Sequence, residues 1–296
     1  MNFCKLLIYA GMLVLLVACE DVIRLDSGFT QPIMVVDAWL DNLEKTQKIT
    51  LTWSQDYFNA SLPVGIENAS VTLVRNGSLA WDFEHQSNGV YEWVPEEGQV
   101  IGEVGDVFTL EILWNNKVYT GQTMMFRVPP IDSIAQVFEE EQLGIPEGIY
   151  AELFVTDLPG IGDTYWAKTW KNGQFLNKPQ EMLLVYDATF DAGSSLDGVP
   201  FIFPLRRGIN PFPDDFSNLE APYQPGDEIY VELHSISNEA FRFMRIARDQ
   251  MTNGDNGIFS IPLANTIGNV VSQDGRDRWL GFFNVSAVSK AGVVVE

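Results

Sequence analysis

The chain has 296 residues, of which 18 are basic and 40 acidic, so its formal net charge is −22. Such an acidic surface repels phosphate backbones and excludes a nucleic-acid reader, which needs a clustered Lys and Arg footprint. Two cysteines cannot build a disulfide scaffold or a cysteine-rich zinc module, and 46% hydrophobic residues indicate a globular chain of about two domains.

The first 18 residues have the features of a bacterial lipoprotein signal peptide. Residues 1–5 carry one positive charge, at Lys5, and residues 6–17 form an apolar run too short for a spanning helix of about 20 residues. Residues 16–19 (LVAC) look like a lipobox, in which diacylglycerol is attached to the cysteine sulfur, the chain is cut before the cysteine, and the new amino terminus is acylated. We predict that Cys19 carries this lipid; the alternative is an ordinary signal peptide that ends at a chance cysteine.

Residues 19–26 are predicted to form the lipidated tether of the mature protein. Cleavage removes 18 of the 296 residues, leaving 278, and the loss of Lys5 changes the net charge from −22 to −23. Each methylene group of an acyl chain that is buried in a membrane contributes about 0.8 kcal/mol of binding free energy. The acyl chains would therefore anchor the protein to a membrane that it does not span. Glu20 and Asp21 resemble an export signal of Bacteroidota lipoproteins and favour the cell surface over the periplasmic face; the alternative is a solvated tether.

Residues 27–128 have the pattern of an immunoglobulin-like β-sandwich. Polar and apolar residues alternate in residues 48–53 and 108–112, as expected of half-buried strands. Asn76 and Gly77 separate two further apolar segments and tolerate the positive φ of a tight hairpin turn. Together these segments indicate about seven strands in about 100 residues, the count and spacing of an immunoglobulin-like sandwich without its cysteine pair.

Residues 131–296 are predicted to form a second β-rich domain, which begins after the paired prolines 129 and 130. A helix is predicted near residues 238–252, because Ser237 suits an N-cap and apolar residues then recur at helical spacing. Residues 188–226, rich in Pro, Gly and Asp, include long irregular loops. Strands are predicted at residues 131–138, 150–156, 164–170, 182–187, 201–206, 228–235, 280–288 and 292–295.

Six segments, in order and with their spacing, resemble a Bacteroidota lipoprotein family known as domain of unknown function 4249 (DUF4249). The resemblance covers nearly the whole mature chain. The departures are minor: Phe241 and Phe283 stand where Tyr is common, and Val270 where Ile is common. The segments are residues 19–23, 34–40, 68–73, 225–243, 262–270 and 280–283.

The resemblance implies an outer-membrane lipoprotein, often encoded beside a TonB-dependent receptor, and it implies no reaction. Our leading hypothesis is therefore a non-enzymatic, lipid-anchored accessory to such a receptor in nutrient capture or uptake. The alternatives are an autonomous glycan- or peptide-binding surface lipoprotein and an envelope scaffold or adhesion protein. No residue pattern names the ligand.

Catalytic and metal-binding constellations are missing from the sequence. His85 and His234 have no Cys, His or carboxylate at metal-ligand spacing, which favours positions on strand faces. No Gly-x-Ser-x-Gly elbow, phosphate loop or dinucleotide fingerprint occurs. We therefore expect no enzyme, no metal and no cofactor besides the lipid. Acidic loop residues could offer hard oxygen ligands to Ca²⁺, but none matches the spacing of the 12-residue calcium loop, and solvated turns are favoured. These residues are Asp191, Asp197, Asp214, Asp215 and the segment 253–257.

Trp166 and Trp170 are candidates for ligand binding. They lie four residues apart on one face of a predicted strand and could stack on a sugar, although packing into the core is favoured. Ser133 lies in an Asp-Ser-Ile triplet that fits O-glycosylation in Bacteroidota, although a plain strand start after the prolines is favoured.

Arg242, Arg245 and Arg248 are candidates for docking a partner. They recur every three residues and form a basic ridge on the predicted helix, which could contact an acidic protein or a glycan. Ion pairs with neighbouring carboxylates such as Glu239 are the favoured interpretation, since such pairs are common on exposed helices.

Overall fold

The computed structural model describes residues 31–55, 59, 61–193, 196–252 and 266–296. Residues Ile33–Ser54 and Leu62–Glu296 form one compact unit. The described residues are mainly β-structure, which confirms the predicted fold class. No helix among them is both long enough and apolar enough to cross a membrane.

The first half contains seven strands at the predicted places. The hairpin between the third and fourth strands turns at Asn76 and Gly77, whose φ values of 50° and 67° are the positive angles that the sequence predicted. The strands are β1 (Met34–Asp41), β2 (Gln47–Trp53), β3 (Ser70–Arg75), β4 (Leu79–His85), β5 (Val90–Trp93), β6 (Val107–Trp114) and β7 (Lys117–Met124).

These seven strands have the order of the immunoglobulin fold. One layer runs β1, β2, β5, β4 and the other runs β3, β6, β7, the grouping found in constant-type immunoglobulin domains. β4 joins the layers, because its first residues pair with β3 whereas Glu84 and His85 pair with β5. The inward-facing residues of both layers, such as Leu51, Leu73 and Tyr91, form one apolar core.

The second half contains nine strands and two helices among the described residues. The longer helix begins where Ser237 was predicted to cap it, since the Ser237 Oγ accepts a hydrogen bond from the Ala240 N–H at 3.0 Å. The elements are β8 (Ile131–Glu139), β9 (Gly148–Val155), β10 (Thr164–Lys171), β11 (Gln174–Phe175), β12 (Leu183–Tyr186), α1 (Phe203–Arg206), β13 (Glu228–Ser235), α2 (Asn238–Thr252), β14 (Val271–Ser272), β15 (Leu280–Ser286) and β16 (Val288–Val294).

A second sheet runs β11, β10, β13, β16, with β12 also on β10, and β8 and β9 form a separate hairpin. The apolar core of this second half includes Tyr165, Val231 and Leu233. The strand predicted at residues 201–206 is wrong, because this segment contains the short helix α1 instead. Pro204 explains the difference: proline has no N–H for a sheet ladder, whereas the first turn of a helix does not need one.

The late strands β14 and β15 complete the first sheet, beside β7 and β1 respectively. The predicted division at residues 129–130 stays a prediction, but the sheet of the first half thus includes strands from beyond it. β15 runs parallel to β1, and Gly281 is required there, because its φ is +80° and a Cβ would clash with the Val36 carbonyl. Asn269 holds the strand, accepting from the Phe283 N–H at 2.9 Å and donating to its carbonyl at 2.7 Å.

A third apolar cluster lies where α2 and the first sheet meet the second sheet. Trp39 of β1 stacks on Phe282 of β15 at 5.8 Å and meets Trp166 of β10 edge to face at 5.7 Å. Phe241 and Met244 of α2 are buried in the same cluster. This packing fixes the position of α2, which carries the predicted arginine ridge.

Candidate functional site

Two adjoining cavities beside the β8–β9 hairpin form one groove, which we call the hairpin groove. Their volumes are about 530 and 490 Å³, and they share Ile145, Tyr150 and Asn210 as walls. Cavities of this size hold small ligands in many proteins. The first cavity is also lined by Lys171, Lys178 and Phe212, and the second by Glu139, Gln142, Phe203 and Arg207.

Asn210 fixes the floor of the hairpin groove. Its Oδ1 accepts a hydrogen bond from the Ala151 N–H at 2.8 Å, and its Nδ2 donates to the Ala151 carbonyl at 2.9 Å and to the Arg207 carbonyl at 2.7 Å. The Tyr223 hydroxyl donates to the Ile209 carbonyl at 2.6 Å, and burial raises the pKa of Tyr223, which keeps this donor neutral. The Asn210 side-chain amide therefore holds the loop after α1 against β9 in one conformation.

Arg207 lies in the wall of the hairpin groove and contacts the rings of Tyr150 and Phe203. Its guanidinium lies 5.3 Å from the Tyr150 ring and 5.2 Å from the Phe203 ring, distances typical of cation–π contacts. The same group donates to the Glu152 carboxylate at 3.0 Å and to the Glu139 carboxylate. Two carboxylates and two rings are thus held in place by one arginine.

The Pro-rich loop that lines the first cavity is held by Lys178 and Glu181. The Lys178 ammonium donates to the Phe212 carbonyl at 2.5 Å and pairs with Asp214 at 2.8 Å. The buried Glu181 carboxylate accepts from the N–H groups of Phe212 at 2.9 Å and Lys178 at 2.8 Å. Because both walls are held by hydrogen bonds, the groove is preformed.

The rim of the hairpin groove is apolar and open to solvent. Phe203 is 53% exposed, Ile145 is 39% exposed and Leu143 is fully exposed. The arginine and lysine just described are already paired with carboxylates. The arrangement can therefore stack a ligand ring on Phe203 or receive an apolar side chain of a partner.

A search of protein families gives a match to the domain of unknown function DUF4249 over residues 20–291. The chain belongs to the DUF4249 family. The match confirms the resemblance drawn from the six segments, and it covers both halves of the fold. No protein of curated function matches this DUF4249 chain.

The structure places the two candidate tryptophans in different aromatic clusters of the DUF4249 fold. Trp166 packs against Trp39, and the Lys168 ammonium lies 4.1 Å above its ring. Trp170 lies 5.0 Å from Phe175 and 5.5 Å from Tyr230. Both tryptophans are half-buried, and neither lines the hairpin groove.

Each of the three candidate arginines has a partner. Arg242 pairs with Glu239 at 3.4 Å, and Arg245 pairs with Asp191 at 3.0 Å. Arg248 donates to the Met182 carbonyl at 3.3 Å. Arg242 and Arg245 also line a third cavity, of about 280 Å³.

The remaining candidate positions lie on β8 or outside the described residues. Ser133 is exposed near the start of β8, at a register irregularity opposite Phe154. Cys19, Glu20 and Asp21 lie outside the described residues, as do the signal peptide, the tether and the acidic segment 253–257.

Three carboxylates meet in a cluster that sequence reasoning missed. Asp157, Asp187 and Asp197 each place one oxygen within 4.8 Å of the others, although Asp197 was interpreted as a solvated turn. Tyr165 donates to Asp157 at 2.7 Å, and backbone N–H groups donate to the other two. Burial raises the pKa of Asp157, and the charges of Asp187 and Asp163 add to this effect. Hard oxygens of this kind suit a divalent cation, and here they also tie two loops together.

The buried histidine forms the centre of a polar network between the sheets. The His234 Nε2 lies 2.9 Å from the Glu232 Oε2, and the Tyr230 hydroxyl donates to the Glu232 Oε1 at 3.1 Å. Burial, followed by the positive charge of Lys168, lowers the pKa of His234 to about 4. At pH 7 the ring is therefore neutral and donates its Nε2–H to the carboxylate. His85 lies exposed on β4.

The groove residues were missed because no motif marks them. Phe203, Arg207 and Asn210 lie in one short stretch of chain, and this stretch meets Tyr150 of β9 only in the folded chain. The available signal was the Pro-rich and Asp-rich segment 188–226, since loops of such length often carry binding residues.

Proposed function

We propose that this protein is a non-enzymatic, lipid-anchored lipoprotein of the outer membrane, which captures a nutrient and passes it to a TonB-dependent receptor. The lipobox at residues 16–19 and the acidic Glu20 and Asp21 support attachment through Cys19 and display at the cell surface. On this proposal the protein belongs to a member of the Bacteroidota. Its partners are the outer membrane, which holds its lipid anchor, and the receptor.

One structural observation carries the binding role: the preformed hairpin groove lies beside an exposed apolar hairpin. Phe138 is 62% exposed and Leu143 is fully exposed at this hairpin, and Ile145 of the same hairpin lines both cavities of the groove. Exposed apolar patches of this kind often mark interaction sites. A hairpin that contacts the receptor would place the groove, with its ligand, at the contact.

The test is recovery of a receptor from membranes solubilised in detergent. A tagged wild-type protein is expected to bring down a TonB-dependent barrel, and Leu143→Asp is expected to lose it, because a charge replaces the apolar contact. Leu62→Asp is the matched control, since Leu62 is 85% exposed but lies outside the hairpin. Recovery of the lipoprotein alone by wild type, or equal loss in both variants, would contradict the proposal.

A second candidate is an autonomous glycan- or peptide-binding surface lipoprotein, which the aromatic rim of the groove favours. Calorimetric titration of glycans and peptides into the wild type and into Phe203→Ala distinguishes this candidate function from the receptor accessory. Tight ligand binding that depends on Phe203, without any receptor in the pull-down, would favour this candidate. An envelope scaffold or adhesion protein would be favoured by altered surface assembly on deletion, with no ligand found.

A further inference from the structure

The third cavity lies against helix α2, and we call it the arginine pocket. It has a volume of about 280 Å³ and shares no lining residue with the hairpin groove. Its lining contains two guanidinium groups and, among the described residues, no carboxylate. The lining residues are Tyr186, Ala192, Asn238, Phe241, Arg242 and Arg245.

The positive lining is unusual for a chain with a net charge of −22. The carboxylates that pair with the two arginines, Glu239 and Asp191, do not line the pocket. All four side chains are exposed, at 62% and 67% in one pair and 42% and 74% in the other. Solvated ion pairs of this kind contribute little, so both guanidinium groups can exchange their partner for a ligand at small cost.

The apolar wall of the arginine pocket is fixed, in contrast to its charged rim. The rings of Tyr186 and Phe241 meet edge to face at 5.7 Å, and Phe241 is buried on α2. The Asn238 amide donates to the Gly162 carbonyl at 3.2 Å and holds the start of the helix against the neighbouring loop. Phe241 thus supports the half-buried Tyr186 ring from behind, and a ligand ring meets Tyr186 beside two adaptable cations.

We propose that the arginine pocket binds a sugar acid of monosaccharide size through its carboxylate. The planar guanidinium forms paired hydrogen bonds with a carboxylate, and the aromatic wall suits the apolar face of a sugar ring. The volume admits a single ring. The strong negative charge of the whole chain repels polyanions, which favours a ligand with one charge.

The test is calorimetric titration of the mature protein with glucuronate, with glucose as the uncharged match and sulfate as an anion without a carboxylate. Glucuronate is expected to bind, and more weakly at high salt because the charges are exposed. Arg245→Gln is expected to weaken this binding about fivefold, because one exposed charged contact is worth up to about 1 kcal/mol. Glucose and sulfate are expected to bind far more weakly.

Arg248→Gln is the matched control. It removes the same charge from the same helix, but Arg248 bonds to the Met182 carbonyl and does not line the pocket, so affinity should be unchanged. Arg242 and Arg245 are exposed, so their variants should keep the wild-type melting temperature. No binding of glucuronate, equal binding of glucose or sulfate, or equal losses in the Arg245 and Arg248 variants would each overturn the proposal.

Discussion

The buried His234 makes the stability of this protein depend on pH in a defined window. An unfolded histidine has a pKa of about 6.5, and in the folded protein burial lowers the pKa of His234 to about 4. Between these values the unfolded chain holds a proton that the folded chain lacks. Acidification through this window therefore favours unfolding, and the stability contributed by neutral His234 is fully present only above pH 6.5.

The size of the effect follows from the fall in the pKa of His234 from 6.5 to about 4. At about 1.4 kcal/mol per unit, lowering the pH from 7 to 4 should cost about 3 kcal/mol of unfolding free energy through this residue. His234 is only 2% exposed, so solvent screening does not reduce the figure greatly. The measurement is urea unfolding of wild type and His234→Gln at several pH values across the window.

The difference between the two proteins reports His234 together with Glu232, because, against the effect of burial, the hydrogen bond and charge of His234 lower the pKa of this carboxyl. Both groups make the wild type lose more stability on acidification. The buried Asp157 has a raised pKa and responds in the opposite sense, but it is the same in both proteins and its effect cancels. We expect the wild type to lose stability more steeply than His234→Gln as the pH falls. Parallel curves for wild type and His234→Gln would refute the reasoning.

Three further predictions concern the attachment of β15 to the first sheet and the lipid anchor. Asn269→Ala should lower the unfolding free energy by about 2–4 kcal/mol, because two backbone groups of Phe283 lose their partner. Urea unfolding checks this, and an unchanged unfolding free energy would argue against the paired bonds. Gly281→Ala should cost at least about 3 kcal/mol and yield little soluble protein, because a Cβ clashes with Val36; a wild-type melting temperature would contradict this. Cys19→Ser should abolish incorporation of radiolabelled palmitate, and retained label would exclude Cys19 as the attachment point.

The strand positions of the first half could be predicted from local pattern alone. Alternation in β2 and β6 and the Asn76-Gly77 turn are short-range signals, and each strand buries the face that the pattern indicates. Helix α2 was predicted within its observed limits for the same reason, since the cap at Ser237 and the helical spacing are local. The strand prediction for residues 201–206 was wrong, because their apolar run suits a strand whereas Pro204 favours the first turn of a helix.

The pairing of distant segments could not be predicted in this way. β15 joins β1 across more than 200 residues, and Asn269 bonds to Phe283 only because both reach the same edge of the first sheet. The late strands read correctly as strands, but their partners depend on the whole chain. A residue's alternation shows which face is buried, and it carries no information on which neighbour buries it.

The sequence by itself determined the family, the mainly β fold and the positions of most elements, because these rest on composition, periodicity and ordered motifs. Only the tertiary structure decided the hairpin groove and the arginine pocket. Tyr150 lies on β9, whereas Phe203 and Asn210 lie together in α1 and the loop after it, much later in the chain. Tyr186 of β12 and Arg245 of α2 line the same pocket. Cavities of this kind arise from the packing of elements that are far apart in the chain, and local patterns record only the elements.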